Sequence, residues 1–507
     1  MSADKIKTLD ELCAILEGRR GDGQTVVQCH GVFDLLHIGH IKHLEEARRL
    51  GDVLVVTVTP DAYVDKGPHR PAFPERLRLE ALAALGCVDY VTSSGAPTAV
   101  DAIRRLRPHV YVKGAVQDAG KRDHTDAIRD EEAAVQAAGG RLALTDTELS
   151  CASSLINRHL DVFTPEAKAF LDRFRRTHDA QGIVDTLQGL RELKVLAVGE
   201  TILDEYHFCD VLDKANKDPI LAAKFNYAQC YAGGILAIAN HLAGFCAEVG
   251  VLTFLGADES REEFVRSALD ERVRARFLYK TDSPTIVKRR FLEEYLAQKL
   301  FEVYLINDDP LTDDDEAALC AALEDLVPRY DVVVLADYGH AMFTPRAVRL
   351  VCDRARFLAV NAQVNAGNRG FNFVTKYPRA DYVSIDVPEA RLEVRDPRAG
   401  LEEVVRVLAG RMDCPRFLVT QGKAGCLCYD RQAGFCQVPA FAIRTVDRIG
   451  AGDAVLALSA PCVARGAPME EVGFIANVVG AEACAILGNE RAIDPVSLLR
   501  HVTSLLK

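Results

Sequence analysis

Over residues 25–160, short runs of β-branched and apolar residues alternate with amphipathic stretches. The runs that predict strands read TVVQC, DVLVVTVT, VDYVTS, HVYVKG and RLALTD. After the first of them, the segment IGHIKHLEEARRLG has the apolar spacing of a helix, with Gly51 in the position of a C-terminal cap. The apolar residues that share one face of this helix are Ile38, Ile41, Leu44 and Ala47. Alternating strands and helices predict a parallel sheet with helices on both faces.

The same alternation returns after residue 193, in LKVLAVGE, YDVVVLADYG, RFLAVNA, ADYVSID and RFLVTQG. Between Phe208 and Tyr304, segments such as TIVKRRFLEEYLAQKLFEVY alternate polar and apolar residues, which indicates a small sheet or flap outside the main sheet. Residues 161–192 have helical periodicity, many charges and no strand signal. We find no internal repeat. The predicted division is an N-terminal extension (1–24), a first α/β domain (25–160), a helical linker (161–192) and a second α/β domain (193–507).

Composition and charge describe an ordinary globular protein with more than one domain. A chain of 507 residues exceeds what one hydrophobic core usually supports, and 49% hydrophobic with 26% charged residues is typical of globular proteins. The net charge of −12 argues against bulk binding of nucleic acid or of an anionic membrane. The 15 cysteines lack zinc-ligand spacing and read as reduced thiols, and no segment has the apolar length of a signal peptide or a membrane span. We therefore expect a soluble, cytoplasmic protein.

Two histidines, His37 and His40, follow the first predicted strand in GVFDLLHIGH. At a strand-to-helix junction the N–H groups of the helix terminus suit an anion, and Gly39 leaves room for a phosphate to approach the backbone. Both imidazoles can then donate hydrogen bonds to phosphate oxygens, where charge develops during a transfer reaction. The HxGH spacing at such a junction favours a functional pair over two unrelated structural histidines.

The segment GVFDLLHIGHIKHLEEARRLGDVLVV resembles the nucleotidyltransferases of the cytidylyltransferase superfamily. The similarity is greatest to glycerol-3-phosphate cytidylyltransferase and to the transferase half of the bifunctional heptose-7-phosphate kinase/heptose-1-phosphate adenylyltransferases, and it continues through RPAFPERLRLEALAALGCVDYV, VYVKG and CASSLI. The resemblance implies a Rossmann-like domain with His37 and His40 as catalytic residues. It assigns nucleotide or phosphate binding to Gly31, Phe33, Gly39, Lys42, Arg78, Lys113, Gly114, Ser153 and Ser154.

The chemistry implied by this resemblance is attack of a sugar or polyol phosphate on the α-phosphate of a nucleoside triphosphate, with Mg²⁺ present and pyrophosphate as the leaving group. One position departs from the pattern, since Ala152 stands where the family has its first serine. HIGH also occurs in class I aminoacyl-tRNA synthetases. The KMSKS-like loop and the basic RNA-binding domain of those enzymes are not visible in this sequence.

A second site is indicated near the C-terminus by VDRIGAGDAVLAL. Gly450, Ala451 and Gly452 open an apolar helix, so its bare N–H groups can cradle a transferring phosphoryl group. Asp453 sits just inside this helix, where a carboxylate can take the proton of an attacking hydroxyl.

With its surroundings, this stretch resembles the ribokinase/PfkB family of sugar kinases, roughly over residues 194–500. The supporting motifs are GETILDEY, AGGILAIANHL, SPTIVKRRF, VVLADYG and LVTQGKAGCLCY. The resemblance implies an ATP-dependent kinase with a small β-lid, Asp453 as its catalytic residue and Glu389 as organiser of Mg²⁺. It assigns nucleotide or phosphate contacts to Thr420, Gly422, Gly425, Gly450, Ala451 and Gly452. It assigns substrate contacts to Asp204, Gly233, Gly234, Asn240, Lys288 and Asp337.

Several positions depart from the kinase pattern. Glu200 stands where an aspartate often follows the glycine, and Asp386 replaces the asparagine of the NxxE motif. The tripeptide NAQ at 361–363 stands where Asp-Pro-Lys is frequent, and residues 448–449 read Arg-Ile. The stretch NAQVNAGNRGFN is rich in asparagine and glycine; it reads either as a contact for a polyhydroxylated substrate or nucleotide, or as a turn-rich loop. Because Asp453 and its cradle are intact, we expect an active kinase.

Both halves thus resemble parts of one class of bifunctional enzyme, in reversed order. The predicted fold is a Rossmann-like nucleotidyltransferase domain followed by a ribokinase-like α/β domain with a small β-lid. The predicted function is phosphorylation of a sugar or sugar phosphate, such as a heptose 7-phosphate, with ATP, and transfer of a nucleotidyl group to a sugar phosphate. Two alternatives stay open: a CTP-dependent cytidylyltransferase joined to a polyol kinase, and a nucleotidyltransferase whose kinase-like half only binds or regulates. Expected partners are sugar phosphates and nucleoside triphosphates, without nucleic acid or membrane; the resemblance also admits a homodimer.

Overall fold

The structure is a computed structural model, which describes residues 3–64, 70–114, 127–145, 163–215, 217–295, 298–368, 370–442 and 445–506. The chain folds as two compact units. The first comprises Met1–Leu171, Asp179–Gln181 and Val496–Lys507; the second comprises Asp172–His178 and Gly182–Pro495.

The first unit contains a parallel sheet of β1 (Val26–Gly31), β2 (Val53–Val58), β3 (Tyr90–Ser93), β4 (Val110–Gly114) and β5 (Arg141–Thr145). Its helices are α1 (Leu9–Gly21), α2 (Ile38–Arg48), α3 (Glu75–Ala83), α4 (Val100–Leu106) and α5 (Ala127–Ala137). The strand order is β3-β2-β1-β4-β5, and neighbouring strands are parallel. The order reverses at β1, and in such a sheet ligands bind outside the carboxyl ends of the strands at the point of reversal.

Alternate residues of β1 point to opposite faces of this sheet, and each face has its own core. Val27 packs with Leu44 of α2 on one face. Val26 packs with Leu12 of α1 on the other. Helices therefore cover both faces, which confirms the α/β fold predicted from the alternation of strands and helices.

Two details of α2 differ from the sequence prediction. Ile38 is 64% exposed, because it is the first residue of the helix and precedes the turns, with Leu44, that pack on the sheet. The helix ends at Arg48, so Gly51 does not cap it. A β-carbon on Gly51 would lie 2.7 Å from the carbonyl oxygen of Thr25. The glycine is required by this close approach to the chain before β1.

The second unit contains the remaining strands. They are β6 (Lys194–Gly199), β7 (Thr201–Lys214), β8 (Leu221–Gly234), β9 (Glu248–Asp258), β10 (Val273–Pro284), β11 (Ile286–Glu293), β12 (Gln298–Leu305), β13 (Val332–Asp337), β14 (Leu358–Ala362), β15 (Tyr382–Asp386), β16 (Arg416–Thr420), β17 (Cys426–Asp430) and β18 (Gly434–Val438). The main sheet has the order β10-β9-β6-β13-β14-β15-β16-β17-β18. It is parallel as far as β16, and β17 and β18 are antiparallel at one edge. β13 is buried along its whole length, as expected of a central strand covered on both faces.

A smaller sheet, which we call the lid, has the strand order β12-β11-β7-β8. It confirms the flap predicted from alternating polar and apolar residues. The lid begins at Thr201, before the predicted stretch, and two strands within that stretch, β9 and β10, belong to the main sheet instead.

The other helices are α6 (Pro165–Phe174), α7 (Ala180–Gly189), α8 (Ile235–Ala243), α9 (Glu262–Ala268), α10 (Asp313–Leu326), α11 (Pro345–Arg354), α12 (Val387–Val394), α13 (Leu401–Arg411), α14 (Ala451–Ala464), α15 (Met469–Ala483) and α16 (Pro495–Leu506). Helices α6 and α7 lie in the stretch with helical periodicity between the two α/β regions. Within the described ranges, no helix combines the length and the apolar character needed to cross a membrane.

Candidate active sites

The first candidate site lies where β1 ends and α2 begins. His37 is the N-cap of α2, and its Nδ1 accepts a hydrogen bond of 3.1 Å from the backbone N–H of Gly39. In a neutral imidazole the proton then sits on Nε2, which becomes a donor. This Nε2 is buried and has no hydrogen-bond partner among the residues that the structure describes. The junction thus presents a donor that a ligand oxygen can use.

The ring of His40 lies against the ring of His37, with centroids 4.0 Å apart and planes inclined by 36°. Phe33, whose φ is 52°, places its ring centroid 5.3 Å from that of His40. A β-carbon on Gly31 would lie 3.1 Å from the Phe33 ring, so the glycine makes room for it. Burial lowers the pKa of His37, which keeps its ring neutral at pH 7. The structure brings these four predicted residues and Gly39 together at one junction.

Arg78 is buried, and its guanidinium is used within the protein. It donates to the carbonyl oxygens of Val32 and Phe73 at 2.6 and 3.0 Å. It also donates to the carboxylate of Asp61 at 2.5 Å. Arg78 therefore ties the loop after β1, which carries Phe33, to the loop before α3.

The other predicted residues of this site are spread more widely. Lys113, near the end of β4, forms an ion pair of 2.8 Å with the buried Glu131 of α5. Gly114 ends β4, and Lys42 is exposed on α2. Two predicted residues lie outside the described part of the chain, Ser153 and Ser154.

Two polar residues at the junction, His30 and Asp34, were not predicted. His30 lies between the hydroxyl groups of Thr57 and Thr59, at 3.0 and 3.2 Å. Burial lowers the pKa of His30 to about 3, so the ring is neutral. Asp34 accepts a hydrogen bond of 3.0 Å from the guanidinium of Arg70. All these partners are distant in sequence, and no local pattern signals them.

The second candidate site lies at the N-terminus of α14. Gly450 is the N-cap, with φ of 79°, and a β-carbon there would lie 2.0 Å from Oδ1 of Asn489. Only glycine fits this position. Ala451 and Gly452 open the helix, whose first N–H groups have no intrahelical partners. This backbone geometry is that of an anion cradle.

Asp453 follows in the first turn of α14 and is buried. The phenol of Tyr338 donates to its Oδ1 at 2.9 Å, and Nε2 of Gln363 donates to the same oxygen at 3.3 Å. Burial raises the pKa of Asp453 to about 7, helped by the charge of Asp204 and opposed by Lys288 and by these two donors. A carboxyl group that titrates near neutrality can accept a hydroxyl proton at physiological pH.

Asp204 of β7 lies at the base of the lid and forms a buried ion pair with Arg290 of β11. A β-carbon on Gly233 of β8 would lie 2.2 Å from Oδ2 of Asp204. Gly234 has φ of 58°, and a β-carbon there would lie 2.7 Å from the carbonyl oxygen of Glu200. Gly233 is thus required by close packing against Asp204, and Gly234 by its positive φ and the approach of the Glu200 backbone.

Lys288 of β11 is buried, and its Nζ lies 5.4 Å from the ring centroid of Tyr304. Among the described residues, its ammonium has neither a hydrogen bond nor an ion pair. Burial lowers the pKa of Lys288, and the nearby carboxylate of Asp204 opposes this shift. A buried, unpaired ammonium is costly, so this position suits an anionic group of a ligand.

Two residues that were predicted to contact the substrate form hydrogen bonds with other groups of the protein. The amide of Asn240 donates to the carbonyl of Ala268 and accepts from the N–H of Asp270, both at 2.8 Å, so it fixes the loop after α9. Asp337 is buried and accepts hydrogen bonds from the phenol of Tyr377 at 2.7 Å and from the N–H of Gly339 at 3.0 Å.

The predicted nucleotide loop follows β16, which ends at Thr420. Gly422 and Gly425 have φ of 57° and 91°, and a β-carbon on Gly425 would lie 2.0 Å from the carbonyl oxygen of Val438. The N–H of Gln421 donates to the carbonyl of Gly425 at 2.7 Å, which closes the turn. The loop is therefore held against β18 by contacts that only glycine permits.

Glu389 lies in the first turn of α12 and forms a capping box with Asp386. Aspartate and asparagine are both good N-caps, so Asp386 can cap α12 as the asparagine of the family pattern would. The N–H of Val364 donates to Oε1 of Glu389 at 3.2 Å. Burial and the charge of Asp386 raise the pKa of Glu389, so a cation would stabilise its ionised form.

No cluster of three or more histidine, cysteine, aspartate or glutamate side chains suited to a metal ion occurs in the described ranges. Mg²⁺ is usually held by one or two carboxylates together with substrate phosphates. A single buried carboxylate such as Glu389 fits that mode of binding.

The asparagine-rich stretch after β14 bonds to the protein backbone. Asn365 and Asn368 donate to the carbonyl oxygen of Tyr338 at 2.7 and 3.0 Å, and Asn372 donates to that of Asp337 at 3.1 Å. These contacts favour the turn-rich loop among the two interpretations of this stretch. Glu200, another departure from the kinase pattern, accepts the N–H of Tyr338 at 3.0 Å.

Asp447 precedes the glycines of α14 and was not predicted as a site residue. It connects the segment that leads into α14 to the lid. Its carboxylate accepts from the phenol of Tyr206 at 2.6 Å and pairs with Nζ of Lys299 at 2.7 Å. It also accepts the N–H of Gly488 at 3.1 Å. Its position beside the glycine motif was the one local signal.

Comparison with curated proteins finds relatives with a shared name. The bifunctional protein HldE of Syntrophotalea carbinolica is 41% identical over 160 residues, which cover 31% of this chain and 31% of the relative. The bifunctional protein HldE of Bradyrhizobium diazoefficiens is 26% identical over 321 residues, which cover 61% of this chain and 62% of the relative. The chain thus spans 31% of the length of the former relative and less than two thirds of the latter.

Among solved structures, phosphofructokinase-2 from Escherichia coli in complex with substrates and products is similar with a TM-score of 0.50 and 15% identity, over 62% of this chain and 100% of that chain. This likeness concerns the fold alone. Residues 29–158 match the cytidylyltransferase-like family, and residues 192–491 match the pfkB family carbohydrate kinases. The chain therefore belongs to the pfkB carbohydrate kinase family and carries a cytidylyltransferase-like region ahead of its kinase region.

Proposed function

We propose that the chain is a bifunctional enzyme of sugar-nucleotide synthesis. Residues 193–507 phosphorylate a sugar or a sugar phosphate, such as a heptose 7-phosphate, with ATP. Residues 25–160 transfer a nucleotidyl group from a nucleoside triphosphate to a sugar phosphate. Residues 1–24 are an extension and residues 161–192 a helical linker. The observation that carries the proposal is the occurrence, in one chain, of a histidine pair at the start of α2 and a buried carboxylate at the start of α14. The similarity to relatives named bifunctional protein HldE supports it.

In the kinase reaction, Asp453 takes the proton of the attacking sugar hydroxyl. The hydroxyl oxygen forms a bond to the γ-phosphorus as the bond from that phosphorus to the β-phosphate oxygen breaks, and ADP leaves with the bonding pair. The N–H groups at residues 450–452 stabilise the transferring phosphoryl group. The loop at residues 420–425 contacts the nucleotide. Lys288 contacts an anionic group of the substrate.

In the transferase reaction, a phosphate oxygen of the sugar phosphate attacks the α-phosphorus of the nucleotide, and pyrophosphate leaves in line. No covalent enzyme intermediate is needed. The Nε2–H of His37 donates to a phosphate oxygen, with His40 beside it, where negative charge increases in the transition state. Catalysis rests on positioning and on neutralisation of charge.

When bound, Mg²⁺ neutralises part of the charge of the nucleotide phosphates. In the kinase region, Glu389 would hold it. The buried carboxylate has two backbone donors, from Val364 and Asp386, that orient it, and a bound cation would offset the burial and the charge of Asp386 that raise its pKa.

ATP is the proposed nucleotide of both reactions, and CTP is the alternative for the transferase. The transferase with a degenerate kinase-like half is the less favoured function, because Asp453 and its cradle are intact. If the first substrate is a heptose 7-phosphate, the two steps also need a separate phosphatase, because the kinase product carries two phosphates and the transferase uses one of them.

The reaction takes place in the cytoplasm, where nucleoside triphosphates are available. We also propose a homodimer formed through the lid, which carries large apolar side chains on its surface. Leu212, Phe225 and Phe301 are 65%, 54% and 54% exposed. Exposed large apolar side chains are enriched at protein interfaces.

The test is a panel of sugars and sugar phosphates incubated with ATP or CTP, with products identified by mass spectrometry. Asp453→Asn should abolish sugar-dependent ADP formation and retain pyrophosphate release. His40→Ala should do the reverse, so each variant is the control for the other. Unchanged ADP formation in Asp453→Asn rejects the kinase assignment, and unchanged pyrophosphate release in His40→Ala rejects the transferase assignment.

A further inference from the structure

Tyr338, in the loop after β13, is a buried residue that the mechanism above does not use. We propose that Tyr338 is a positioning residue of the kinase: its phenol holds Oδ1 of Asp453, so that Oδ2 faces the substrate hydroxyl. Asparagines of the loop at 363–372 hold Tyr338 in place. This inference rests on the proposed kinase activity.

The first argument is the geometry at the carboxylate of Asp453. Both donors, the phenol of Tyr338 at 2.9 Å and the amide of Gln363 at 3.3 Å, reach the same oxygen, Oδ1. An oxygen that accepts two hydrogen bonds is a poor proton acceptor, which leaves Oδ2 as the basic atom. Tyr338 is 2% exposed, so water does not compete for its hydroxyl.

The second argument is that the backbone of Tyr338 is fixed on both sides. Its N–H donates to Glu200 at 3.0 Å, and its carbonyl oxygen accepts from Asn365 at 2.7 Å and from Asn368 at 3.0 Å. The next residue, Gly339, has φ of 74°, and a β-carbon there would lie 1.9 Å from Nδ2 of Asn368. A side chain held this firmly can orient another.

The third argument is that the side chains that hold Tyr338 are themselves hydrogen-bonded to other described residues of their loop, which also supplies the other donor. Oδ1 of Asn365 accepts the N–H groups of Gly367 and Asn368 at 2.8 and 3.0 Å. Asn372 donates to the carbonyl of Gln363 at 3.0 Å. One loop therefore sets both donors to Oδ1, which accounts for its richness in asparagine.

The charged groups and the hydrogen-bond donors around Asp453 set its pKa, and they determine the direction in which this pKa shifts when the phenol of Tyr338 is removed. Asp204 of β7 raises the pKa of Asp453 and Lys288 of β11 lowers it, while Glu389 of α12 and Glu200, after β6, add negative charge nearby. Loss of the phenol removes a donor that stabilises the ionised carboxylate. The pKa of Asp453 must then rise, and the base is ionised only at higher pH.

The test is the pH profile of kcat for sugar-dependent ADP formation in Tyr338→Phe. We expect the acid limb, near pH 7 in the wild type, to move up by about one pH unit. The KM values for ATP and sugar should stay near those of the wild type, because the substituted group does not touch them. Activity should recover largely at pH 9.

The matched control is Tyr382→Phe. Tyr382 is also fully buried, and its phenol donates to Oγ of Ser459 at 2.9 Å, on the same helix α14 but remote from Asp453 along the helix. This variant should lose stability without moving the acid limb. An acid limb in Tyr338→Phe that coincides with those of the wild type and the control overturns the inference.

If Tyr338→Phe does not fold, Gln363→Leu removes the other donor from a half-buried position and should move the limb in the same direction by a smaller amount. An unmoved limb in Gln363→Leu then overturns the inference. Wild-type protein without sugar-dependent ADP formation rejects the proposed kinase, whereas active wild type with an unmoved limb in the variants rejects only the positioning role.

Discussion

The carboxylate of Asp204 occupies the space next to Gly233 that any other residue would need for its side chain. A β-carbon on Gly233 would lie 2.2 Å from Oδ2 of Asp204 and 3.2 Å from the carbonyl oxygen of Ile202. Gly233 of β8 is paired with Ile202 of β7, two residues before Asp204, at the base of the lid. The buried ion pair of Asp204 with Arg290 on β11 fixes the carboxylate from the other side. The glycine and the aspartate therefore form one structural unit.

Gly233→Ala should displace Asp204 and reduce kinase activity by at least about tenfold, because a misplaced contact of this kind readily costs that much in rate. Pyrophosphate release by the transferase should be unchanged. The matched control is Gly410→Ala, in the helix α13, where a β-carbon meets no atom within 4 Å. That variant should be active and more stable by about 0.5–1 kcal/mol. Equal kinase activity in both variants would count against the close packing around Asp204.

His37→Asn separates the role of His37 as N-cap of α2 from its role as a hydrogen-bond donor through Nε2. Asparagine is a good N-cap, so α2 should begin as before, but the Nε2–H donor is lost. We expect the rate of pyrophosphate release to fall by about 10²–10³-fold, as on removal of a donor to a developing charge. The kinase reaction and the melting temperature should stay at wild-type values. A transferase rate within twofold of wild type would show that this donor is not used.

Local patterns were sufficient to predict the start of α2 with His37, because a strand followed by a capped helix is encoded by adjacent residues. The prediction that Gly51 caps α2 was wrong, because the glycine is required by the close approach of Thr25, just before the neighbouring strand β1, and not by the helix. The contacts of Arg78 with Val32 and Asp61 also join separate loops. No periodicity carries such information, since it arises only when the loops pack.

In the kinase, the resemblance located Asp453, but it could not reveal what surrounds it. The donors Tyr338 and Gln363 come from loops that follow different strands, β13 and β14. These strands are neighbours in the sheet and not in the sequence. The resemblance also could not reveal the partner of Asn240, whose side chain donates a hydrogen bond to the carbonyl oxygen of Ala268.

Lys288→Met should weaken binding of a phosphorylated sugar. The buried ammonium of Lys288 has no ion pair in the described part of the chain, so it is available to a substrate phosphate. We expect the KM for the sugar phosphate to rise by about tenfold or more, as on loss of a charged hydrogen bond, with the KM for ATP unchanged. The KM is compared over a range of pH, because Lys288 also lowers the pKa of Asp453 and burial lowers its own pKa. An unphosphorylated analogue is the control, and an equal rise in its KM would contradict a phosphate contact.

The stability of the second unit should fall as the pH falls below about 6.5, in part through His241. This residue is buried in α8, its Nδ1 accepts the N–H of Ile493 at 3.0 Å, and burial lowers its pKa to about 4. Between pH 6.5 and 4 the unfolded chain binds a proton that the folded chain excludes, which costs about 1.4 kcal/mol per pH unit. His241→Gln keeps an acceptor for Ile493 but cannot titrate. Calorimetry at pH 7, 6 and 5 should show a smaller drop in melting temperature for the variant, by about 2 °C per pH unit. Parallel decreases for the two proteins would show that His241 does not contribute.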